Sequence, residues 1–223
     1  MKNVLYVILA YLVLMNFQCI NAQTFSRKSL LKDVRANIKS TNFSVAESAL
    51  KNALFEHPEL SNDTEIIYYS MMVQGKLAEV ENRKIFLNNR PDTVKYFDYI
   101  YGIYQYGLQI DPLDKKFSKP ATTHLIQYRH NLLSAGKYHY TKSHFDEAYK
   151  FLMKYLESNH HALLTQDLTY QPDSDTISIT KLATFSAFGN KDYKAALDLL
   201  TLCITDSTNQ SLLEIGAKSS LVH

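Results

Sequence analysis

Apolar residues recur at spacings of three and four along most of the chain. The stretch YFDYIYGIYQYG, residues 96–107, shows this pattern most clearly, because its apolar and aromatic side chains form two adjoining helical stripes. The first stripe is Tyr96, Ile100, Ile103 and Gly107, and the second is Phe97, Tyr101, Tyr104 and Leu108. Prolines at positions 91 and 112 favour a helix between them. We predict that this helix is buried around most of its circumference and that the protein is all-α, with about nine or ten helices.

The first 22 residues follow a different pattern. Lys2 precedes an apolar run over residues 4–15, and the small residue Ala22 ends the segment. This order is typical of a secretory signal peptide, and the run is shorter than the roughly 20 residues of a spanning helix. An uncleaved membrane anchor and a lipoprotein modified at Cys19 are the alternatives. We expect residues 23–223 to form one exported domain, periplasmic or extracellular, without stable membrane insertion.

Composition narrows the choice of partners. The chain has 24 basic and 22 acidic side chains, and removal of Lys2 with the signal peptide would leave it almost neutral. Such a balance gives no support to nucleic-acid binding. Cleavage would also leave Cys203 as the only cysteine, so no disulfide could form within the mature chain. Because Cys203 lies between Leu202 and Ile204, we expect it to be a small buried apolar residue.

Three segments share a short pattern in which an aromatic residue is followed three positions later by alanine. The pairs are Phe43 and Ala46, Phe145 and Ala148, and Tyr193 and Ala196. With Gly136 nine residues before Phe145 and Pro58 after the first segment, this resembles the tetratricopeptide repeat (TPR) family, whose unit of about 34 residues is a helical hairpin.

The resemblance implies a right-handed superhelix of antiparallel helix pairs, a TPR-like α-solenoid. It also implies that each hairpin is closest at its small residues, so Gly136 should face Ala148 across one hairpin. The interval from Ala46 to Ala148 is 102 residues and suggests three units in one register. The middle unit, which would turn near Gly75, fits only in part. The stretches near 90–120 and 159–174 do not fit the repeat and are expected to interrupt its regularity.

The family binds partners on the concave side of the superhelix. In the implied register this side includes basic and aromatic residues, which we take as candidate partner-binding residues: Lys28, Arg35, Tyr69, His130, Lys137 and Tyr140. They would suit an acidic, extended segment of a protein or peptide. The alternative is that the cations only make an exposed helix face soluble.

Motifs of catalysis and cofactor binding are missing from the sequence. There is no HExxH, paired CxxC or GxSxG motif, and no glycine-rich loop precedes a predicted helix. We therefore expect no catalytic residue, no metal site and no cofactor. The eight histidines are expected to be solvated or to cap helices, with a turn at Lys142 and Ser143 separating His139 from His144.

The function predicted from these observations is that of a non-catalytic scaffold for protein or peptide interactions. The alternative is a carbohydrate-associated protein that uses exposed tyrosines as platforms for sugar rings. The orientation of the tyrosines between Tyr96 and Tyr106 distinguishes the two, because buried rings favour the scaffold and exposed coplanar rings favour the sugar binder.

Overall fold

A computed structural model describes residues 25–87, 89–171, 175–203 and 210–222. Within these ranges the chain forms ten α-helices, one short 3-10 helix and no strand, so the prediction of an all-α protein is confirmed. The predicted signal peptide, residues 1–22, lies outside the described residues.

The helices are, in chain order, α1 (Arg27–Lys39), α2 (Phe43–Glu56), α3 (Thr64–Phe86), α4 (Thr93–Gly107), α5 (Ser118–Thr141), α6 (Phe145–Asn159), α7 (Ala162–Thr165), α8 (Thr176–Gly189), α9 (Tyr193–Cys203) and α10 (Gln210–Val222). The 3-10 helix, Pro58–Asn62, joins α2 to α3.

Helix pairs are the unit of packing. Four hairpins, α1/α2, α3/α4, α5/α6 and α8/α9, follow one another, and the second helix of each packs against the first helix of the next element. The first helices also contact each other from α1 to α3 and from α3 to α5, while α4 contacts α6. We call α1, α3, α5 and α8 the first-helix layer, and α2, α4, α6 and α9 the second-helix layer. This packing is consistent with a helical solenoid.

Three of the hairpins share the same turn. Thr41, Ser143 and Lys191 adopt positive φ angles of 61°, 60° and 64°. The residue after each donates its backbone N–H to the carbonyl five residues back, from Asn42 to Asn37, His144 to His139 and Asp192 to Ala187. These bonds form a Schellman motif that ends the first helix, and the second helix begins at the predicted aromatic residue.

The small residues lie where the two layers are closest. Ala46, Ala148 and Ala196 are completely buried. A Cβ atom added at Gly136 would lie 2.7 Å from Cγ of Leu152 on α6, so only glycine allows this approach of α5 to α6. Gly136 thus marks a close contact of α5 with α6, as predicted, but the residue it meets there is Leu152; for Ala148 the structure shows complete burial.

The predicted middle unit is wrong. Helix α3 continues without a turn through Gly75 and Leu77 and ends only at Phe86. The second helices of successive hairpins begin at Phe43, Thr93 and Phe145, so the interval from Ala46 to Ala148 contains two long hairpin steps instead of three units of about 34 residues. Gly75 instead lies in an interhelical contact, where an added Cβ would meet His124 and Ile103 at 3.9 and 4.0 Å.

The tyrosine-rich stretch forms α4, inside the predicted limits. Tyr96, Tyr99 and Tyr104 are buried, while Tyr101 and Tyr106 are half-buried. The hydroxyl of Tyr104 is hydrogen-bonded to the carbonyl of Leu125 on α5. The helix packs against α3, α5 and α6, which confirms its prediction as core.

Two smaller predictions have different outcomes. Cys203 is completely buried beside Thr184, with the sulfur 3.6 Å from the hydroxyl oxygen, as expected. The expectation that histidines are solvated or capping is wrong for His139, which is 3% exposed and stacks on Phe151 with ring centroids 5.4 Å apart. His161 is a cap, because its Nδ1 accepts the backbone N–H of Leu163.

Candidate partner-binding surface

A stripe of four cations runs along the exposed side of α1. Lys28, Lys32, Arg35 and Lys39 recur at spacings of four, three and four residues, and all are exposed. Leu31 and Val34 lie on the buried side of the same helix. The stripe therefore faces solvent because the apolar positions of α1 pack inward. We call these four residues the basic stripe.

Arg35 is the one member of the stripe with partners among the described residues. Its guanidinium is ion-paired to Glu65, donates from Nε to the hydroxyl of Tyr69 at 2.8 Å, and lies 5.2 Å from the centre of the Tyr69 ring. The structure thus brings together two of the predicted binding residues, Arg35 on α1 and Tyr69 on α3.

Glu65 also receives two further cations. Arg27 lies 3.0 Å and Lys116 3.3 Å from its carboxylate, and Arg27 also pairs with Asp63. Burial opposes ionisation of Glu65, but the hydrogen bonds from Arg27 and Lys116 outweigh it and lower the pKa of this carboxyl. The pKa of Asp63 is lowered chiefly by the hydrogen bond from Arg27. This end of the surface is therefore an intramolecular ion cluster with excess positive charge.

The exposed stripe of α5 continues the surface in the same layer. Its residues are Lys119, Thr123, Gln127, His130, Ser134 and Lys137. Two predicted binding residues, His130 and Lys137, lie on it, and neither forms an ion pair with a described residue. Tyr140 is half-buried near the end of α5 and packs edge-on against Phe145 at 5.8 Å, so its ring is part of the hairpin contact.

A cleft of about 510 Å³ opens between the first hairpin and the C-terminal half of α3. Ile38, Thr41 and Phe43 line one side, and Lys76, Glu79, Val80 and Arg83 line the other. It forms because α3 extends beyond the turn that joins α1 to α2. Lys76 and Glu79 neutralise each other at 2.8 Å, so the cleft offers apolar side chains and the guanidinium of Arg83, which has no ion-pair partner among the described residues.

Sequence reasoning missed this cleft for an identifiable reason. The assumed turn at Gly75 interrupts the helix on which Lys76, Glu79 and Arg83 lie. The signal that could have located it is the unbroken apolar spacing through Met71, Leu77 and Ala78, all of which are buried.

The two layers differ in charge. The helices of the first-helix layer carry twelve Lys or Arg and four Asp or Glu side chains, whereas those of the second-helix layer carry five and seven. Arg129 of α5 is buried, in contrast to the exposed cations of the same layer. It is hydrogen-bonded to Asn159 and lies 4.2 Å from the ring centre of Tyr155. The positive excess of the first-helix layer lies mainly on exposed faces.

The described residues also bear on metal binding and on membrane insertion. No group of three or more His, Cys, Asp or Glu side chains in the described ranges could hold a metal ion. None of the described helices is both long and apolar enough to cross a membrane. Comparison with protein-family models, curated proteins and solved structures gives no match.

Proposed function

We propose that the protein is a non-catalytic helical-repeat module of the TPR type, exported by its N-terminal segment, that binds an acidic, extended segment of a partner protein on the first-helix layer. The observation that carries this proposal is the basic stripe, in which Lys28, Lys32 and Lys39 are exposed and have no ion-pair partner among the described residues.

Electrostatics favours an acidic partner. Like charges four residues apart, such as Lys28 and Lys32, weaken a helix by a few tenths of a kcal/mol, so the proximity of these lysines does not stabilise α1. A surface of one charge sign steers an oppositely charged partner and aligns it. The stripe spans eleven residue steps, about 16 Å along the helix, which an extended peptide covers in about five residues.

The cleft beside the stripe suits apolar side chains of such a segment. Ile38 and Phe43 are half-buried and Val80 is exposed, so each has surface to lose on binding. Alternate residues of an extended peptide point to opposite sides. A segment that alternates acidic and apolar residues would therefore match both the stripe and the cleft.

The core tyrosines of α4 give no support to a tyrosine platform for sugars, the alternative function. Tyr96 and Tyr104 lie in the core, and the hydroxyl of Tyr104 is already bonded to the Leu125 carbonyl. Export and the right-handed sense of the superhelix stay predictions. N-terminal sequencing of the exported protein should begin at Gln23 or Thr24, and a lipid-modified Cys19 would contradict this.

The binding proposal is tested by charge neutralisation with a matched control. The first variant combines Lys28→Gln, Lys32→Gln and Lys39→Gln, and the control combines Lys51→Gln, Lys154→Gln and Lys194→Gln on the second-helix layer. Both change the net charge equally and keep good helix formers. The probe is a fluorescein-labelled peptide that alternates glutamate and leucine, followed by fluorescence anisotropy.

We expect the first variant to bind the peptide at least about tenfold more weakly, about 1.4 kcal/mol, and the control to bind like the parent. The difference should shrink at high salt because exposed charges are screened. Equal weakening by both variants would show non-specific attraction and overturn the proposal, and so would absence of binding to the parent.

A further inference from the structure

A second concave feature lies on the opposite layer, between α2 and α4. This groove has a volume of about 330 Å³. Glu47 and Lys51 line it from α2, and Tyr99, Gly102 and Tyr106 line it from α4. We call it the α2/α4 groove. It shares no residue with the first-helix surface described above.

Gln74 of α3 forms the floor of the groove. Its amide nitrogen donates to Oε1 of Glu47 at 3.0 Å, and its side chain crosses directly over Gly102. A Cβ atom on residue 102 would lie 2.7 Å from the amide oxygen of Gln74. Glycine at this position therefore keeps the floor open and allows the amide to lie flat across it.

The charged groups of the groove balance. Its lining has two carboxylates and two ammonium groups, and Lys51 is paired with Glu47 at 2.7 Å. Lys95 lies over the ring of Tyr99, with its nitrogen 5.9 Å from the ring centre. An ionic ligand would find no uncompensated charge cluster in this groove, in contrast to the basic stripe.

Several polar groups in the groove are free to bind a ligand. The Asp98 carboxylate and the Gln105 amide line the groove, and neither side chain forms a hydrogen bond with a described residue. Ser70 lies deeper, at 3% exposure, beside a space that is too small for a ligand, and its hydroxyl has no hydrogen-bond partner among the described residues.

The walls of the groove are aromatic. Tyr99 and Tyr106 lie on the same face of α4, two turns and about 10 Å apart along the helix axis. Gly102 lies between them on the same face, so the two rings border an open space instead of filling it. Burial raises the pKa of both phenols, which keeps them neutral hydrogen-bonding groups.

We propose that the α2/α4 groove binds one unit of an uncharged, polyhydroxylated ligand, a neutral saccharide. Sugar hydroxyls both donate and accept hydrogen bonds, which matches the Asp98 carboxylate and the amides of Gln74 and Gln105 in one neutral site. The faces of a sugar ring carry C–H groups, which could pack on the half-buried ring of Tyr106. A groove of this size, with aromatic walls and a few convergent polar groups, is typical of a small-ligand site.

The test begins with a microarray of neutral and acidic glycans probed with the mature protein. We expect retention on neutral glycans, and the best of these is then titrated by calorimetry. Gly102→Ala should weaken its binding at least about tenfold by displacing Gln74. Gly75→Ala is the matched control, because its Cβ meets only ordinary contacts at 3.9 and 4.0 Å.

A further variant distinguishes a loss of glycan binding from a loss of folding. Asp98→Asn changes an exposed side chain that makes no hydrogen bond in the described structure, so the fold should persist while glycan affinity falls at least threefold. The triple variant of the basic stripe should bind the glycan normally, which separates this site from the peptide site. Absence of neutral glycans among the ligands, preference for acidic glycans, or unchanged affinity in both Gly102→Ala and Asp98→Asn would overturn the proposal.

Discussion

The two layers of the solenoid bury their apolar side chains in the same way but differ in the charge of their exposed side chains. Each buries one side of its helices, as Leu31 does on α1 and Leu50 on α2. On the second-helix layer, lysines pair within their own helix, Lys51 with Glu47, Lys150 with Glu147 and Lys154 with Glu157. On the first-helix layer, Lys76 and Lys84 pair in the same way with Glu79 and Glu81, but the three lysines of the basic stripe have no ion-pair partner among the described residues. Packing therefore does not explain the charge of the basic stripe, which is the feature that the binding proposal addresses.

The largest expected effect concerns the contact that both layers need. Ala148 is completely buried on α6, which approaches α5 so closely at Gly136 that a Cβ there would clash with Leu152. Ala148→Leu should wedge the hairpin open and lower the free energy of unfolding by about 1–3 kcal/mol. Thermal unfolding should show a melting temperature lower by about 3–10 °C.

The control for this prediction is Ala217→Leu, at an exposed position of α10. It adds the same atoms where they contact solvent and should change stability by less than about 0.5 kcal/mol. An Ala148→Leu protein that melts like the parent would show that the layers are not in close contact here.

A second prediction concerns acidity. Burial lowers the pKa of His139 below its usual value of 6.5. The charge of Glu147 acts in the opposite direction, and that of His144 lowers the pKa further. The pKa of His124, which lies on α5 facing α3, is lowered by burial and by the charge of Lys76. Both side chains are thus neutral in the folded protein at pH values where they would be protonated in the unfolded chain.

The sign follows from linkage. A histidine whose folded pKa lies below the unfolded value contributes fully above the unfolded pKa, and its contribution is lost as pH falls below that value. The free energy of unfolding should therefore decrease from neutral pH to about pH 5. The carboxyl groups of Asp63 and Glu65 have lowered pKa values, so their contributions to the free energy of unfolding are lost only at lower pH.

Denaturant titrations at several pH values check this prediction. His139→Phe keeps an aromatic ring against Phe151 and removes the titrating group, so its stability should depend less on pH over this range. The exposed His130 provides the control, and His130→Phe should leave the slope unchanged. Equal slopes for the parent and His139→Phe would contradict the assignment.

The hairpin turns give a third, smaller effect in the opposite direction. Ser143 and Lys191 hold positive φ angles, which cost a side-chain-bearing residue about 1 kcal/mol relative to glycine. Ser143→Gly and Lys191→Gly should each stabilise the protein by about 0.5 kcal/mol, after the larger chain entropy of glycine in the unfolded state is subtracted. Lys142→Gly, at a negative φ of −91°, should not stabilise it.

These turns also show what the sequence could reveal. The aromatic and alanine pairs at Phe43, Phe145 and Tyr193 correctly marked three second helices, each of which begins at the aromatic residue and buries the alanine completely. The second hairpin escaped prediction since Thr93 begins its second helix without that signature. Apolar spacing alone does not say where a long helix such as α3 is interrupted.

The candidate surface was predictable to a similar degree. Lys28 and Arg35 are exposed on α1, which coincides with the first helix of the first predicted unit, while their place on a concave binding face stays a prediction. The pairing of Arg35 with Glu65 depends on how α1 packs against α3, 30 residues later in the chain. The α2/α4 groove depends on the contacts of Gln74 with Glu47 and Gly102, which come from three helices. No local sequence pattern predicts contacts between residues on three different helices.

The smallest expected effect tests the comparison of the layers most directly, through stability instead of binding. Neutralising Lys28, Lys32 and Lys39 with glutamine removes mutual repulsion and should raise the free energy of unfolding by a few tenths of a kcal/mol. The same change at Lys51, Lys154 and Lys194 breaks pairs with Glu47 and Glu157 and should lower it by a similar amount. Both differences should vanish at high salt, since the side chains are at the surface. Chemical unfolding at low and high ionic strength measures them, and equal signs for the two triple variants would mean that the layers do not differ electrostatically.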